Sequence, residues 1–153
     1  MSAESVRRFL AEHAPDIEIV ELDEDSSTFT LSAKWGIKPA QIAKTLVLRV
    51  GDRNVVVVTC GDSRLDNKKT KDLFGSKVKI VRPEEATELT GHTVGGVCPF
   101  ALATPLPIYF DSQLRQYDEV VPGAGSPCRA LRISPTRMAE LVEAEWADFC
   151  QDN

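Results

Sequence analysis

The 153-residue chain lacks the features that several large classes of protein require. It has no apolar run near the ~20 residues of a membrane-spanning helix, and its first eight residues lack the apolar core of a signal peptide. It has only two histidines, and its four cysteines are Cys60, Cys98, Cys128 and Cys150. None of these cysteines forms a C-x-x-C pair, which excludes the usual zinc motifs. We therefore expect a cytoplasmic protein with reduced thiols, no membrane association, no metal and no other cofactor.

The composition is that of a folded globular protein. Hydrophobic residues make up 42% and charged residues 27% of the chain, and this length predicts one domain over residues 1–153. The net charge of −5 argues against a strong, free-standing nucleic-acid binder.

Charge is unevenly distributed along the chain. Residues 62–82 contain seven basic and three acidic residues, so this segment carries +4 and the remainder carries −9. The basic residues of this segment are Arg64, Lys68, Lys69, Lys71, Lys77, Lys79 and Arg82. The segment is either a solvated helix face or a local patch that faces phosphate groups.

Local patterns predict an α+β fold. Apolar spacing and capping residues predict helices at 2–14, 28–36, 67–74, 83–90 and 135–149, where 28–36 also has some strand character. Alternation and β-branching predict strands at 17–22, 43–50, 55–60, 78–81, 108–110, 119–121 and 129–133. The second and third strands read as an antiparallel hairpin, and 55–60 as a central strand buried on both faces. The irregular order of elements predicts a curled, mostly antiparallel or mixed central sheet, barrel-like and flanked by helices.

Lys44 is the first candidate for chemistry. It begins a predicted strand within the apolar run Ile42 to Leu48. Such a lysine either points outward or is partly buried, and a partly buried lysine needs a partner and is often functional.

The segment Thr90 to Phe100 is the second candidate. Three glycines and a proline within nine residues impose a specific backbone shape, either a tight turn or a nest of N–H groups that holds an anion or a carbonyl. It matches neither a Walker loop nor a dinucleotide fingerprint. Cys98 lies six residues from His92, so a Cys–His nucleophile pair is a further possibility.

Three motifs in order resemble the YbaK/ProX superfamily. They are Gly36 to Leu46, Leu65 to Lys69, and Thr90 to Phe100. Members of this superfamily are aminoacyl-tRNA deacylases related to the editing domain of bacterial prolyl-tRNA synthetases. The resemblance covers essentially the whole chain and implies a mixed α/β fold with a curled sheet.

The resemblance also implies roles for particular residues. It places the functional lysine at Lys44, with metal-free hydrolysis of the aminoacyl ester. The implied substrate-binding residues are Thr45, Gly95, Gly96, Val97, Cys98, Pro99, Asp111, Gly123 and Gly125. The family often has serine where this chain has Cys98. The charge of segment 62–82, and not the resemblance, makes Lys68, Lys69 and Lys71 the expected tRNA contacts.

The leading functional hypothesis is hydrolysis, in trans, of the ester of a mischarged aminoacyl-tRNA. The implied partners are the 3′ aminoacyl-adenosine end of the tRNA and an aminoacyl-tRNA synthetase. The alternative is a non-catalytic module of the same fold that binds tRNA ends, a synthetase or an amino acid. A cysteine-dependent hydrolase is the third hypothesis.

Overall fold

The structure is a computed structural model that describes residues 2–22, 28–93, 96–126 and 128–152. The acidic segment 23–27, whose composition predicts a loop, lies outside the described residues, and so does the predicted site residue Gly95. Within them the helices are α1 (Ser2–His13), α2 (Thr28–Trp35), α3 (Asn67–Phe74), α4 (Pro83–Thr90) and α5 (Pro135–Leu141). The strands are β1 (Val20–Glu21), β2 (Ile42–Val50), β3 (Arg53–Cys60), β4 (Val78–Ile80), β5 (Ile108–Asp111), β6 (Val121–Pro122), β7 (Arg129–Ala130) and β8 (Glu145–Ala147).

A long hairpin forms the centre of the fold. Strands β2 and β3 pair antiparallel from Ala43–Cys60 to Val50–Arg53. Gly51 makes the turn with a left-handed φ of 62°, a conformation that glycine adopts without steric cost. Residues 55–60 are buried throughout, so the predictions of a hairpin and of a central strand are confirmed.

The main sheet is mixed and open. Its order is β4-β2-β3-β5-β8, and β6 pairs with the start of β2. Strand β4 is antiparallel to β2, whereas β6, β5 and β8 are parallel to their neighbours β2, β3 and β5. Among the described strands, β4 and β8 end the sheet without pairing to each other, so it does not close into a barrel. Strands β1 and β7 form a separate two-stranded ladder.

Local capping explains the accuracy with which two helices were predicted. The Asp66 carboxylate accepts a hydrogen bond from the Lys69 amide at the start of α3. Gly75 and Gly91 end α3 and α4 with φ of 82° and 78°. These signals lie in the sequence next to the elements that they bound, so the predicted limits 67–74 and 83–90 are confirmed.

The predicted C-terminal helix through residue 149 is wrong. Helix α5 begins as expected, with the Ser134 hydroxyl accepting from the Arg137 amide. It ends at Leu141, however, and Glu143 turns the chain with a left-handed φ of 55°.

Residues Glu145–Ala147 instead form β8 along the free edge of β5. Trp146 packs edge-on against Phe110, with ring centroids 5.4 Å apart. Strand pairing and this ring contact outweigh the helical spacing of the apolar residues, because helix propensity is a weak preference. The predicted strands at 17–22, 119–121 and 129–133 are present but shorter than expected.

The sheet separates two apolar clusters. The larger contains Ala43, Val58 and Cys98, and the smaller contains Val57 and the α3 residue Phe74. Successive side chains of a strand point to opposite faces. Ala43 therefore faces the larger core, and its neighbour Lys44 faces the side of the sheet that carries α3.

Candidate active site

Lys44 lies on β2 directly opposite Thr59 of β3. Its side chain is half-buried, and its ammonium donates a 2.9 Å hydrogen bond to the Ser63 carbonyl oxygen. Within the described ranges no carboxylate forms an ion pair with it. The structure thus places a cation whose position is set by a strand at one end and by a backbone acceptor at the other.

A cavity of about 380 Å³ opens beside Lys44. Its polar part consists of Lys44, Thr59, Ser63, Arg64 and Asn67, and its apolar part of Leu46, Leu65, Val78 and Ile80. Ile80 is 60% exposed although it is apolar. The volume falls in the ~300–1,000 Å³ range of small-molecule sites, and the lining combines an apolar wall with a few polar groups.

The Ser63 loop is held from behind the cavity. The Ser63 hydroxyl donates to Oε1 of Gln113 at 3.0 Å, and its amide donates to the Cys60 carbonyl. Sequence reasoning missed both Ser63 and Gln113. They are 50 positions apart and carry no motif, so no local signal could have joined them.

Asp111 ends β5 and is fully buried. Its Oδ2 accepts from the Gln113 amide, and its Oδ1 accepts from the amides of Phe149 and Cys150. Three backbone donors therefore surround the carboxylate, which is the usual way in which a buried charge is stabilised. Its predicted contact with substrate remains a prediction.

Thr45 follows Lys44 on β2 and pairs with Val58. Strand alternation directs it to the face opposite Lys44. Its hydroxyl oxygen is buried and has no hydrogen-bond partner among the described residues. The structure therefore does not bring the Thr45 side chain into the Lys44 cavity.

Gly96 packs directly against the later glycine turn. The Gly125 amide donates to the Gly96 carbonyl at 3.1 Å, and a Cβ on Gly96 would lie 2.3 Å from the Ser126 nitrogen. This approach requires glycine. Gly123, on the same turn, follows Pro122, which pairs with Ala43. The two glycine segments thus meet beside the end of β2 that carries Lys44.

The rest of the predicted loop turns inward. Cys98 and Pro99 are buried, and Val97 is half-buried. Cys98 belongs to the larger core, and Pro99 lines a separate cavity of about 220 Å³ that also contains Phe9. None of the three lines the Lys44 cavity.

Cys98 and His92 do lie together, as the nucleophile hypothesis requires, with 3.5 Å between Sγ and Nε2. Their surroundings oppose that chemistry. Nε2 lies 2.7 Å from the Phe100 carbonyl oxygen, so it carries the proton and donates to that oxygen. Burial raises the pKa of the Cys98 thiol to about 12 and lowers the pKa of His92. A neutral thiol beside a neutral donor imidazole is a structural contact and not an activated pair.

The basic segment contributes unequally to the surface. The Lys69 ammonium contacts Asp148 at 3.0 Å, Asp152 at 2.8 Å and the Cys150 carbonyl. These partners raise the pKa of Lys69 and bind the C-terminal segment to α3. Lys68 is far more exposed, and its ion-pair partner within the described ranges is Asp72, at 3.9 Å. Lys71 is also exposed.

Neither a metal site nor a membrane-spanning helix is found among the described residues. They contain no group of three His, Cys, Asp or Glu side chains arranged to hold a metal ion. None of their helices is both long and apolar enough to cross a membrane.

The sequence matches the family described as the aminoacyl-tRNA editing domain over residues 26–141. The chain belongs to this family. This match confirms the family resemblance seen in the motifs. The predicted α+β fold is also confirmed, because the chain superimposes on two crystal structures of the same architecture. One is of a proposed trans-editing enzyme for prolyl-tRNA synthetase, with TM-score 0.90, 32% identity and coverage of 99% and 98% of the two chains. The other is of the hypothetical protein APE2540, with TM-score 0.89, 28% identity and coverage of 96% and 99%.

Three sequence relatives of this editing-domain chain are described by their identity and coverage. The uncharacterised protein YwhH of Bacillus subtilis is 36% identical over 99% of both chains. EbsC of Enterococcus faecalis, whose name proposes a Cys-tRNA(Pro)/Cys-tRNA(Cys) deacylase, is 26% identical over 88% of this chain and 83% of its own. The proline–tRNA ligase of Solidesulfovibrio magneticus is 33% identical over 73% of this chain, but the match spans only 20% of the ligase.

Proposed function

We propose that this editing-domain protein hydrolyses the ester bond of mischarged aminoacyl-tRNA in trans. The observation that carries the proposal is Lys44, held on β2 and by the Ser63 carbonyl at the wall of a cavity of about 380 Å³. A positioned ammonium in a partly closed cavity can stabilise negative charge that develops on a substrate.

The reaction requires little more than this. Water attacks the ester carbonyl carbon, a tetrahedral oxyanion forms, and the bond to the ribose oxygen breaks. The products are the free amino acid and a tRNA whose terminal hydroxyl has gained a proton. One donor to the oxyanion contributes about 10²–10³ in rate, and we assign that role to Lys44.

Substrate recognition is proposed to rest mainly on the aminoacyl-adenosine end. Lys44 is on one side of the end of β2, and the turn of Gly123 and Gly125 with Gly96 is beside it. Their backbone groups, with Gly95, are proposed to orient the substrate. Exposed Lys68 and Lys71 supply weak phosphate contacts, which agrees with the overall charge of −5. Lys69 is occupied by its acidic partners and contributes least.

The test is a panel of mischarged tRNAs, including Cys-tRNA(Pro) because of the name that EbsC carries. The panel is incubated with wild type, Lys44→Ala and Lys44→Arg, with and without the matching synthetase. We expect wild type to release the amino acid from at least one member, and Lys44→Ala to lower kcat/KM about 10²–10³-fold. Lys44→Arg keeps the charge but changes its shape, and should restore only part of the rate.

One result would contradict this function, and another would contradict the role of Lys44 alone. Binding of tRNA or synthetase by wild type without release of amino acid from any substrate indicates the non-catalytic module. Release that is unimpaired in Lys44→Ala shows that the reaction is correct but that the role of Lys44 is not.

A further inference from the structure

We propose that Ser63 and Gln113 are positioning residues for Lys44, and that Asp111 acts through them instead of touching substrate. The proposal rests on the function proposed above. It adds residues that contact neither the substrate nor the reacting atoms but decide where the lysine ammonium stands.

The first step is the contact between the lysine and the loop. A lysine ammonium ends a flexible four-carbon stem and has three donors, so its direction is poorly defined without a fixed acceptor. Here the Ser63 carbonyl oxygen, 2.9 Å from Nζ, is its hydrogen-bond acceptor within the described part of the chain. The position of this carbonyl therefore sets the position of the charge.

The second step is what fixes Ser63 itself. Ser63 is only 3% exposed, and its hydroxyl donates to Oε1 of Gln113 at 3.0 Å. The hydroxyl and the carbonyl belong to one residue, so holding the first restrains the second. The link between Lys44 and Gln113 thus passes through a single buried serine.

The third step anchors Gln113. Its amide donates to Oδ2 of Asp111, and its side-chain Nε2 donates to the Gln151 carbonyl at 2.9 Å. Oδ1 of Asp111 accepts the Phe149 and Cys150 amides at 3.1 and 3.2 Å. The turn after β5 and the C-terminal segment are thereby joined behind the cavity, and Ser63 is bonded to this joint.

The polar residues therefore have different roles. Lys44 is the group that contacts the substrate. Asp111, fully buried and surrounded by backbone donors, supports the turn that carries Gln113. Supporting residues of this kind keep a reacting group within a fraction of an ångström of its productive position.

The experiment is a double-mutant cycle with Ser63→Ala and Gln113→Met, assayed on the substrate that wild type deacylates best. Each single variant should lower kcat about 3–10-fold with KM nearly unchanged, because the substrate contacts remain. The double variant should be no slower than the slower single variant, because both break one chain of bonds. Asp111→Asn would place a side-chain NH₂ group against a backbone N–H that now donates to the carboxylate. Two donors would then face each other, so this variant is assayed only if it folds.

Ser134→Ala is the matched control, because it removes a hydroxyl that caps α5, a helix without a residue in the Lys44 cavity. It should lower Tm but leave kcat unchanged. An active wild type with unchanged kcat in both single variants, or with multiplicative losses in the double variant, overturns the positioning role and leaves the proposed function standing. Equal losses of kcat in Ser134→Ala would show a general stability effect and also overturn it. A wild type inactive on every substrate overturns the function itself, and the positioning assignment with it.

Discussion

The two faces of the central sheet place reactive side chains in opposite surroundings. On the α3 face, Lys44 lines an open cavity, and its ammonium has one backbone acceptor among the residues that the structure describes. On the other face, Cys98 and His92 lie 3.5 Å apart in a closed core. In the sequence this pair is a further candidate active site, since it combines a nucleophile with a base. Access to solvent and free hydrogen-bonding capacity, however, belong to the lysine.

The difference shows that residue type does not make a site without its surroundings. Burial raises the pKa of the Cys98 thiol, and the imidazole proton is directed to the Phe100 carbonyl. The same burial that stabilises these groups as core residues removes their reactivity. The comparison can be tested at four points, beginning with the largest expected effect.

The first test removes each of the two candidate side chains in turn. Lys44→Ala should remove about 10²–10³ of the deacylation rate with little change in Tm. Cys98→Ala should keep kcat within about threefold of wild type, because the thiol is not the nucleophile, and should lose about 1 kcal/mol of unfolding free energy by leaving a small cavity. Deacylation kinetics and thermal melts measure both. Abolition of turnover by Cys98→Ala would reverse the comparison.

The second test concerns the contact of Gly96 with the later glycine turn, beside the end of β2. Gly96→Ala should lower the free energy of unfolding by about 1–3 kcal/mol, because its Cβ would meet the Ser126 backbone at 2.3 Å. Gly123→Ala is the matched control for stability, since its Cβ would find its nearest atom at 3.8 Å. Urea titration of both variants checks this. Equal losses would show that the close approach at Gly96 does not matter.

The third test uses pH on the closed face. Burial lowers the pKa of His92 below its ordinary 6.5, so the unfolded chain takes up a proton before the folded chain does. The contribution of neutral His92 to the free energy of unfolding should therefore be fully present above about pH 7. It should fall as the pH decreases through 6.5 and below, at no more than ~1.4 kcal/mol per pH unit.

His92→Gln cannot titrate and keeps a donor for the Phe100 carbonyl. Its Tm should depend less on pH between 7.5 and 5.5 than that of wild type, since all other groups are shared. Parallel curves for the two proteins would show that His92 is already free to protonate in the folded state.

The smallest effect is expected at the surface of the open face. Lys68→Glu with Lys71→Glu should raise KM for the tRNA about threefold at low salt, and less at high salt, through the loss of weak phosphate contacts. Tm should hardly change. Lys69→Gln is the contrasting variant, because it loses Asp148 and Asp152 and should lower Tm. An unchanged KM at low salt would show that Lys68 and Lys71 belong to a solvated face.

Prediction from sequence succeeded where the deciding signals were local. Asp66 and Gly75 bound α3 within the sequence itself, and Gly51 marks the turn of the hairpin. It failed at residues 142–149, where apolar spacing suggested a helix. There the free edge of β5 and the contact of Trp146 with Phe110 decide, and neither is visible from neighbours in the chain.

The candidate site divides in the same way. Lys44 was identified from its apolar flanks and from a three-part motif that resembles the family. The family match confirms that the chain belongs to this family. Ser63 and Gln113 were not identified, since their hydrogen bond joins positions 63 and 113. Nor could the sequence show that Thr45 and Cys98 lie outside the lining of the Lys44 cavity.

By itself, then, the sequence determined the family, through three short motifs in order, and also the hairpin and the capped helices. Each of these motifs, turns and caps is encoded by residues that are neighbours in the chain. The tertiary structure alone decided that the last strand replaces a helix and that the Cys98–His92 pair is closed to solvent. It also decided that the buried Ser63, bonded to Gln113, stands behind Lys44. Burial and long-range hydrogen bonds arise only when distant segments pack together. They distinguish an accessible group such as Lys44 from a buried pair such as Cys98 and His92, whose residue types alone suggest reactivity.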